Sequence, residues 1–357
     1  MSEPTPSIPK GNWILVTGAT GFLASHIVKQ FAERGYRVRG TVRDLAKAQW
    51  LVNDPTFLKP YADVGGLELV QVPDLFSPDT DLAGLVKEMS AIVHVATDTS
   101  FSPDPNKVIP QTVAGVTALM EAAAREPSVK EFVYTSSFLA AAVPMPALPG
   151  TPVTEVKRDT WNDAFVQMAW AQAENPSPRA GAFVYTASKV EAEKAVWKFV
   201  AEKKPGFVVN TICPSQLLGE PLCKAHVNSG VAWIRQLYDG ETARLMGFPA
   251  VVNVNVKDIA ALHVAAVLDP QVQNERLQAW AQHCNWNDVL AIMRKLYPRK
   301  EFVDDLPNLA PGLALETDLS QARALLKKWA GQDDWKSLEE TITDNTKVLD
   351  NREALRG

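Results

Sequence analysis

The chain is poor in cysteine, histidine and long apolar runs, and each shortage removes a class of function. Its three cysteines, Cys213, Cys223 and Cys284, are odd in number, and no two stand two residues apart. That rules out a disulfide framework and a paired-cysteine zinc site, and it suits reduced thiols in a cytoplasmic protein. The five histidines, at 26, 94, 226, 263 and 283, show no metal-ligand spacing, so no metal is expected. His94, inside an apolar run, reads as a core residue. No G-x-S-x-G elbow occurs, which removes a serine hydrolase. The longest apolar stretch, 138–149, is broken by Pro144, Pro146 and Pro149. It falls short of the roughly 20 residues a membrane helix needs. Residues 1–10 are polar and proline-rich, without the apolar centre of a secretory signal. A net charge of −5 gives no general attraction to nucleic acid or to an anionic membrane.

What is present is an ordinary globular balance, 46% apolar and 22% charged over 357 residues. That is enough for one large α/β domain with a smaller lobe. The first two hundred residues alternate in character. Strands are expected at 13–16, 36–42, 67–72, 92–96, 131–135 and 207–212, and helices at 22–34, 108–125 and 182–201. Runs such as "AIVHVA" and "EFVYTSS" are apolar throughout and read as strands buried on both faces. The fold expected is therefore α/β, a doubly wound parallel (Rossmann) sheet with a smaller C-terminal substrate lobe. Residues 140–178 break the pattern and read as a long loop holding a short helix; an insertion of that size is usually functional. A further helix is expected at 231–238. The dinucleotide-binding domain spans 11–213, with 251–254 and 276–281 expected to return to its sheet. The lobe takes 214–250 and 282–357.

The segment "VTGATGFLAS" puts a glycine-rich turn between the first strand and the first helix. Gly18 permits the sharp turn, and Gly21 lets backbone N–H groups approach a pyrophosphate at the positive helix end. Ala24 is the small residue that lets the helix pack closely on the strand. The candidate cofactor contacts here are Thr17, Gly18, Gly21, Phe22 and Leu23. After the second strand, NAD-binding folds carry an acid for the ribose 2′-hydroxyl. Here "YRVRGTVRD" offers none before Asp44, while Arg43 and Lys47 suit the dianion of a 2′-phosphate. NADPH/NADP+ is the cofactor expected.

In "VYTASKVEAEK", Tyr185 and Lys189 stand four apart and share one helix face. "FVYTSS" brings Ser136 and Ser137 to a strand end, where ligand crevices form in open α/β sheets. These pieces fit reduction of a carbonyl, in which hydride reaches carbon while negative charge develops on oxygen. Ser137 can bond that oxygen and Tyr185 can deliver the proton. Lys189 is expected to favour the phenolate of a tyrosine whose ordinary pKa is about 10, and to hold the nicotinamide ribose. Trp197, further along the same helix, reads as core. Cys213, beside the expected nicotinamide, reads equally as a small buried residue or a reactive one.

With "TGATGFLASH", "GYRVRGTVRD", "VPDLF", "VHVAT", "FVYTSS", "YTASKVEAE", "CPSQLLG" and "VNVKDIAALHV", the chain resembles the extended short-chain dehydrogenases/reductases. Within them it is similar to the dihydroflavonol reductase and fungal carbonyl (aldehyde) reductase branch. The resemblance covers nearly the whole chain. It implies that Asp74 and Leu75 flank the adenine and that Val95, Ala96 and Thr97 line the ribose and pyrophosphate. It further implies that Pro214 and Leu217 meet the nicotinamide, that Ser137 is the catalytic serine, that its neighbour Ser136 and Tyr185 are cofactor contacts, and that the pro-S hydride is transferred. Thr112 stands where the sugar-epimerase branch carries asparagine, which favours a reductase. Asp98 replaces the proline that plant reductases carry after "VAT". The longer interval from Ser137 to Tyr185 separates this chain from plant substrate specificity.

Phe101, Phe138, Gln216 and Trp233 are candidates for the substrate pocket, because such pockets are mostly apolar with few polar groups. The expected activity is NADPH-dependent reduction of an aldehyde or ketone by a cytoplasmic monomer or homodimer. A small-molecule carbonyl is the only partner expected. Two alternatives stand beside it. A nucleotide-sugar epimerase or dehydratase would consume no added NADPH, and an NADP(H)-sensing protein would bind without chemistry.

Overall fold

Seven of the apolar runs meet in one parallel sheet. Its strands are β1 (Trp13–Val16), β2 (Arg37–Val42), β3 (Leu67–Gln71), β4 (Met89–His94), β5 (Glu131–Thr135), β6 (Val208–Pro214) and β7 (Arg276–Ala279). Their spatial order is β3-β2-β1-β4-β5-β6-β7, with all neighbours parallel. The computed structural model describes residues 5–228, 231–349 and 356. The first four residues of the proline-rich start, and 229–230, 350–355 and 357 of the expected lobe, lie outside the described residues.

The helices that cover the sheet are α1 (Phe22–Glu33), α2 (Pro105–Arg125), α3 (Ala180–Lys203) and α4 (Val256–Leu268). Side chains alternate across β1. Ile14 and Val16 enter the core shared with α1 and α4, and Leu15 enters the one shared with α2 and α3. All three are fully buried. Each contributes roughly 1.5–3 kcal/mol relative to exposure, which explains why β1 carries no polar alternation. The chain reverses its winding between β1 and β4, so their carboxyl ends open the crevice in which ligands of such sheets sit.

Three expectations need correction. Val251–Asn255 does not return to the large sheet. It forms a three-stranded sheet with Gln216–Leu218, parallel, and Gln282–Cys284, antiparallel. β6 itself has no free edge, because it already lies between β5 and β7. The helix Ser320–Ala330, assigned to the lobe, buries Ala322, Leu325 and Leu326 in the core shared with α1 and α4, and it packs on α4 and β7. The 140–178 insertion also holds more than a short helix. Thr154–Val156 pairs with Leu315–Thr317, and the helix Asp163–Ala171 is capped by Asn162, whose side chain accepts from the Phe165 N–H at 3.2 Å.

Four buried histidines make the fold sensitive to acid. Burial lowers the pKa of His94 to about 3, and those of His26, His226 and His263 to about 4. A folded pKa below the unfolded 6.5 means that the unfolded chain binds more protons, so stability is lost as pH falls from there towards 4. Each histidine then costs on the order of 2 kcal/mol by about pH 5. Glu131, raised to about 8 by burial, works in the opposite direction, but it is one group against four. The melting temperature is expected to fall on the order of 10 °C between about pH 7 and about pH 5. A flat profile in differential scanning calorimetry would contradict this account.

Candidate functional site

The glycine-rich turn is held by one hydroxyl. Thr17 Oγ1, fully buried, accepts the N–H groups of Val95 and Ala96, each at 3.0 Å. With both lone pairs engaged, its proton goes to His94 Nδ1 at 2.9 Å, and neutral His94 carries its own proton on Nε2. The ends of β1 and β4 are thereby laced together. Gly18 has φ +70°, where a side chain is strained, and a Cβ on it would crowd that of Ala96 at 3.3 Å. The Gly18 N–H reaches Thr41 Oγ1 at 2.9 Å, fixing the turn to β2. Gly21 precedes α1 without a side-chain cap. The first N–H groups of that helix, at Phe22 and Leu23, therefore remain available to an anion.

Arg43 and Lys47 lie just past β2, both exposed and without an ion-pair partner among the described residues. Asp44, the nearest acid, accepts from the N–H groups of Ala46 and Lys47 at 2.9 and 3.2 Å. It is committed to capping the helix Leu45–Ala48. At the end of β3, the Asp74 carboxylate accepts from the Phe76 N–H at 2.9 Å, and Leu75 is buried against α2. Three buried polar atoms further along the crevice have no partner among the described residues. They are Thr97 Oγ1 beyond β4, and Ser215 Oγ and Gln216 Oε1 beyond β6, next to Pro214 and Leu217. An unpartnered buried polar atom costs about 1–3 kcal/mol, which a polar ligand along this edge would offset. The turn, the helix end, the two cations and these orphans all suit a phosphorylated dinucleotide.

The catalytic candidates come from β5 and α3. Ser137 is extended, and its Oγ accepts from the Leu139 N–H at 3.2 Å, leaving its proton free to donate. Lys189 is 2% exposed, and its Nζ donates to the Thr135 carbonyl at 2.9 Å. That ammonium sits 5.3 Å from the centre of the Tyr134 ring. Burial lowers its pKa to about 8, against the pull of Glu193 and Cys213. His263 Nε2 takes the Thr135 hydroxyl proton at 2.8 Å and so fixes this strand end from the other face.

The phenol of Tyr185, one turn before Lys189, makes no hydrogen bond among the described residues, with Ser137 or any other group. Burial raises its pKa to about 12. Desolvation is the cause, and the phenol of the free protein keeps its proton. Cys213, pushed to about 12 by burial, is an inert core thiol.

Phe101 covers Tyr185, with ring centres 5.1 Å apart. It rides on a chain of short side-chain turns in which Asp98, Ser100, Ser102 and Asp104 each accept the N–H two residues on. It is held at φ +52° and is half exposed. Gly181 makes this approach possible, since a Cβ there would lie 2.1 Å from the Phe101 carbonyl oxygen. Phe138 is buried edge-on against Trp280, ring centres 6.0 Å apart. Gln216 is half-buried on the small sheet, in register with Asn253. Trp233 lies in the lobe, stacked on Trp286 at 5.5 Å and edge-on to Phe248 at 4.6 Å.

The sequence reading missed Glu193 and Arg276, a fully buried ion pair behind the serines. Ser136 Oγ donates to Glu193 at 2.7 Å, so its hydroxyl faces that carboxylate. Trp197, read as core, is half-buried and turns its Nε1 towards Glu193 at 3.4 Å. The spacing Tyr185, Lys189, Glu193 was one available signal, and a lone arginine at the head of an apolar strand was another. Among the described residues no group of histidine, cysteine or carboxylate side chains could hold a metal, and no helix is long and apolar enough to cross a membrane.

This arrangement has known relatives. The chain is 37% identical over 343 residues to a protein of Aspergillus terreus named NAD-dependent epimerase/dehydratase terH, covering 96% of this chain and 98% of that one. It is 35% identical over 341 residues to aldehyde reductase 2 of Sporidiobolus salmonicolor, covering 94% and 96%. Among solved structures, Gre2 of Candida albicans in complex with NADPH superposes with a TM-score of 0.78 at 23% identity, covering 96% of this chain and 99% of that one. The family model described as NAD dependent epimerase/dehydratase matches residues 14–278, from the head of β1 to the interior of β7. With that span of the sheet accounted for, the chain belongs to the NAD dependent epimerase/dehydratase family, as its resemblance to the extended short-chain dehydrogenases/reductases implied.

Proposed function

We propose that the protein is an NADPH-dependent carbonyl reductase that converts an aldehyde or ketone to the alcohol. The observation that carries this reading is Tyr185: a phenol that keeps its proton, bonded to no protein group, one helical turn from a buried ammonium. The aldehyde reductase among the relatives supports the same reaction class. When bound, NADPH supplies the hydride. Gly18, Gly21 and the start of α1 would hold its pyrophosphate, Arg43 and Lys47 its 2′-phosphate, and Thr97, Ser215 and Gln216 its ribose and carboxamide side. Ser137 donates a hydrogen bond to the substrate oxygen. Tyr185 passes its proton to that oxygen as charge develops there, a contribution of about 10²–10⁴ in rate. Lys189 has one donor fixed on Thr135; its other two remain for the cofactor ribose and the phenolate left by proton transfer. Phe101, and Phe138 with Trp280, give the crevice apolar walls.

The test is consumption of NADPH against a panel of aldehydes, α-diketones and β-ketoesters, repeated with NADH. Turnover with NADPH and at most slow turnover with NADH is expected. Tight NADPH binding without consumption on any carbonyl would overturn the proposal.

A further inference from the structure

Glu193 is a crossing point of the fold. Its Oε1 accepts from Arg276 Nε at 2.8 Å, Thr211 Oγ1 at 2.8 Å and Trp197 Nε1 at 3.4 Å. Its Oε2 accepts from Ser136 Oγ at 2.7 Å and Arg276 Nη2 at 3.1 Å, and the Cys213 thiol lies within 3.8 Å of both oxygens. Arg276 Nη1 goes the other way, donating to the carbonyls of Arg158 at 3.0 Å and Thr160 at 2.7 Å, while its guanidinium lies 3.9 Å from the centre of the Trp161 ring. The two side chains are 0% and 1% exposed. One ion pair thus joins the end of β5, the interior of β6, the start of β7, the helix that carries Tyr185 and Lys189, and the insertion before that helix.

Stability alone is a poor reason for such a pair. Desolvating two charges costs about as much as their attraction returns, and apolar replacements of buried pairs are often neutral or stabilising. What an ion pair with this many directed bonds supplies is alignment. We propose that Glu193 and Arg276 are positioning residues: they fix the serine pair of β5 against the Tyr185–Lys189 face of α3 and tie the 158–161 segment to that frame. Ser136 carries the alignment to Ser137, the next residue, and neither charged group needs to touch substrate. The inference rests on the reductase reading.

Glu193 also acts on Lys189 through its charge. The groups facing that ammonium are Glu193 from α3, Tyr134 and the Thr135 carbonyl from β5, His94 from β4 and Cys213 from β6. Of these, only Glu193 and Cys213 raise its pKa, and the thiol is protonated. Removing the carboxylate therefore lowers the pH at which Lys189 loses its proton.

The test is the paired variant E193Q/R276M, which removes both charges together and keeps an acceptor for Ser136. It is expected to fold with NADPH affinity unchanged, to lose about 10- to 100-fold in kcat, and to move the alkaline limb of turnover, near pH 8 in the parent, to lower pH. A folded variant whose limb stays in place overturns the proposal, whatever happens to kcat. S136A keeps both charges and cuts only the tether. Its kcat is expected to fall about 10-fold at constant NADPH affinity, and parental kcat overturns the proposal. Amide hydrogen exchange asks the same question without turnover. Protection at 136–140 and 158–161 should fall in both variants, and unchanged protection overturns the proposal. A parent protein that consumes no NADPH would sink the reductase reading separately, with exchange still deciding on the pair.

Discussion

Replacing Tyr185 by phenylalanine is expected to lower kcat for carbonyl reduction by about 10²–10⁴ while NADPH affinity stays within about two-fold. The substitution removes one oxygen that bonds to nothing in the protein. No buried partner is orphaned, the ring still packs against Phe101, and the melting temperature should not move. Any loss of rate is then a loss of proton delivery and not of fold. Single-turnover measurement with saturating NADPH, beside calorimetry, separates the two. A variant that retains near-full turnover would mean that another donor protonates the substrate oxygen.

The second large effect is expected at the far end of the cofactor. Arg43→Ala combined with Lys47→Ala should raise the KM for NADPH on the order of 10²-fold and leave that for NADH nearly unchanged, since hydrogen bonds to charged groups are worth about 1.5–3 kcal/mol each. Both side chains are exposed and neither is held by an ion pair among the described residues, so removing them should cost little stability. Asp44, whose carboxylate already caps a helix, cannot take over the ribose. The measurement is the ratio of kcat/KM for the two cofactors. A ratio that survives the double substitution would place the 2′-phosphate elsewhere.

Local signals were legible in the sequence because their causes are local. The strand ending in Thr-Gly, the uncapped Gly21 and the helix closed near Gly35 come within a residue of α1 and β2 as they stand. Spacing alone put Tyr185 and Lys189 on one face. What spacing could not settle was which force wins there. The pKa of the phenol is raised by burial, and that burial depends on neighbours such as Phe101 that come from elsewhere in the chain. The misplaced Val251–Asn255 strand has the same origin. Its valines permit membership of any sheet, and the edge of β6 is taken by β7. Thr154–Val156 escaped notice because its partner strand, Leu315–Thr317, lies far along the chain. Glu193 and Arg276 each look like a surface charge when read singly; only their meeting across 83 residues shows otherwise.

That separation sets an order of assembly. As the chain leaves the ribosome, Tyr185, Lys189 and both serines are complete long before Arg276 is made. Until it arrives, Glu193 is a carboxylate without a counter-charge, and the helix that bears it cannot settle against the sheet at acceptable cost. A product that stops short of the seventh strand would contain the whole catalytic set and still be unable to use it.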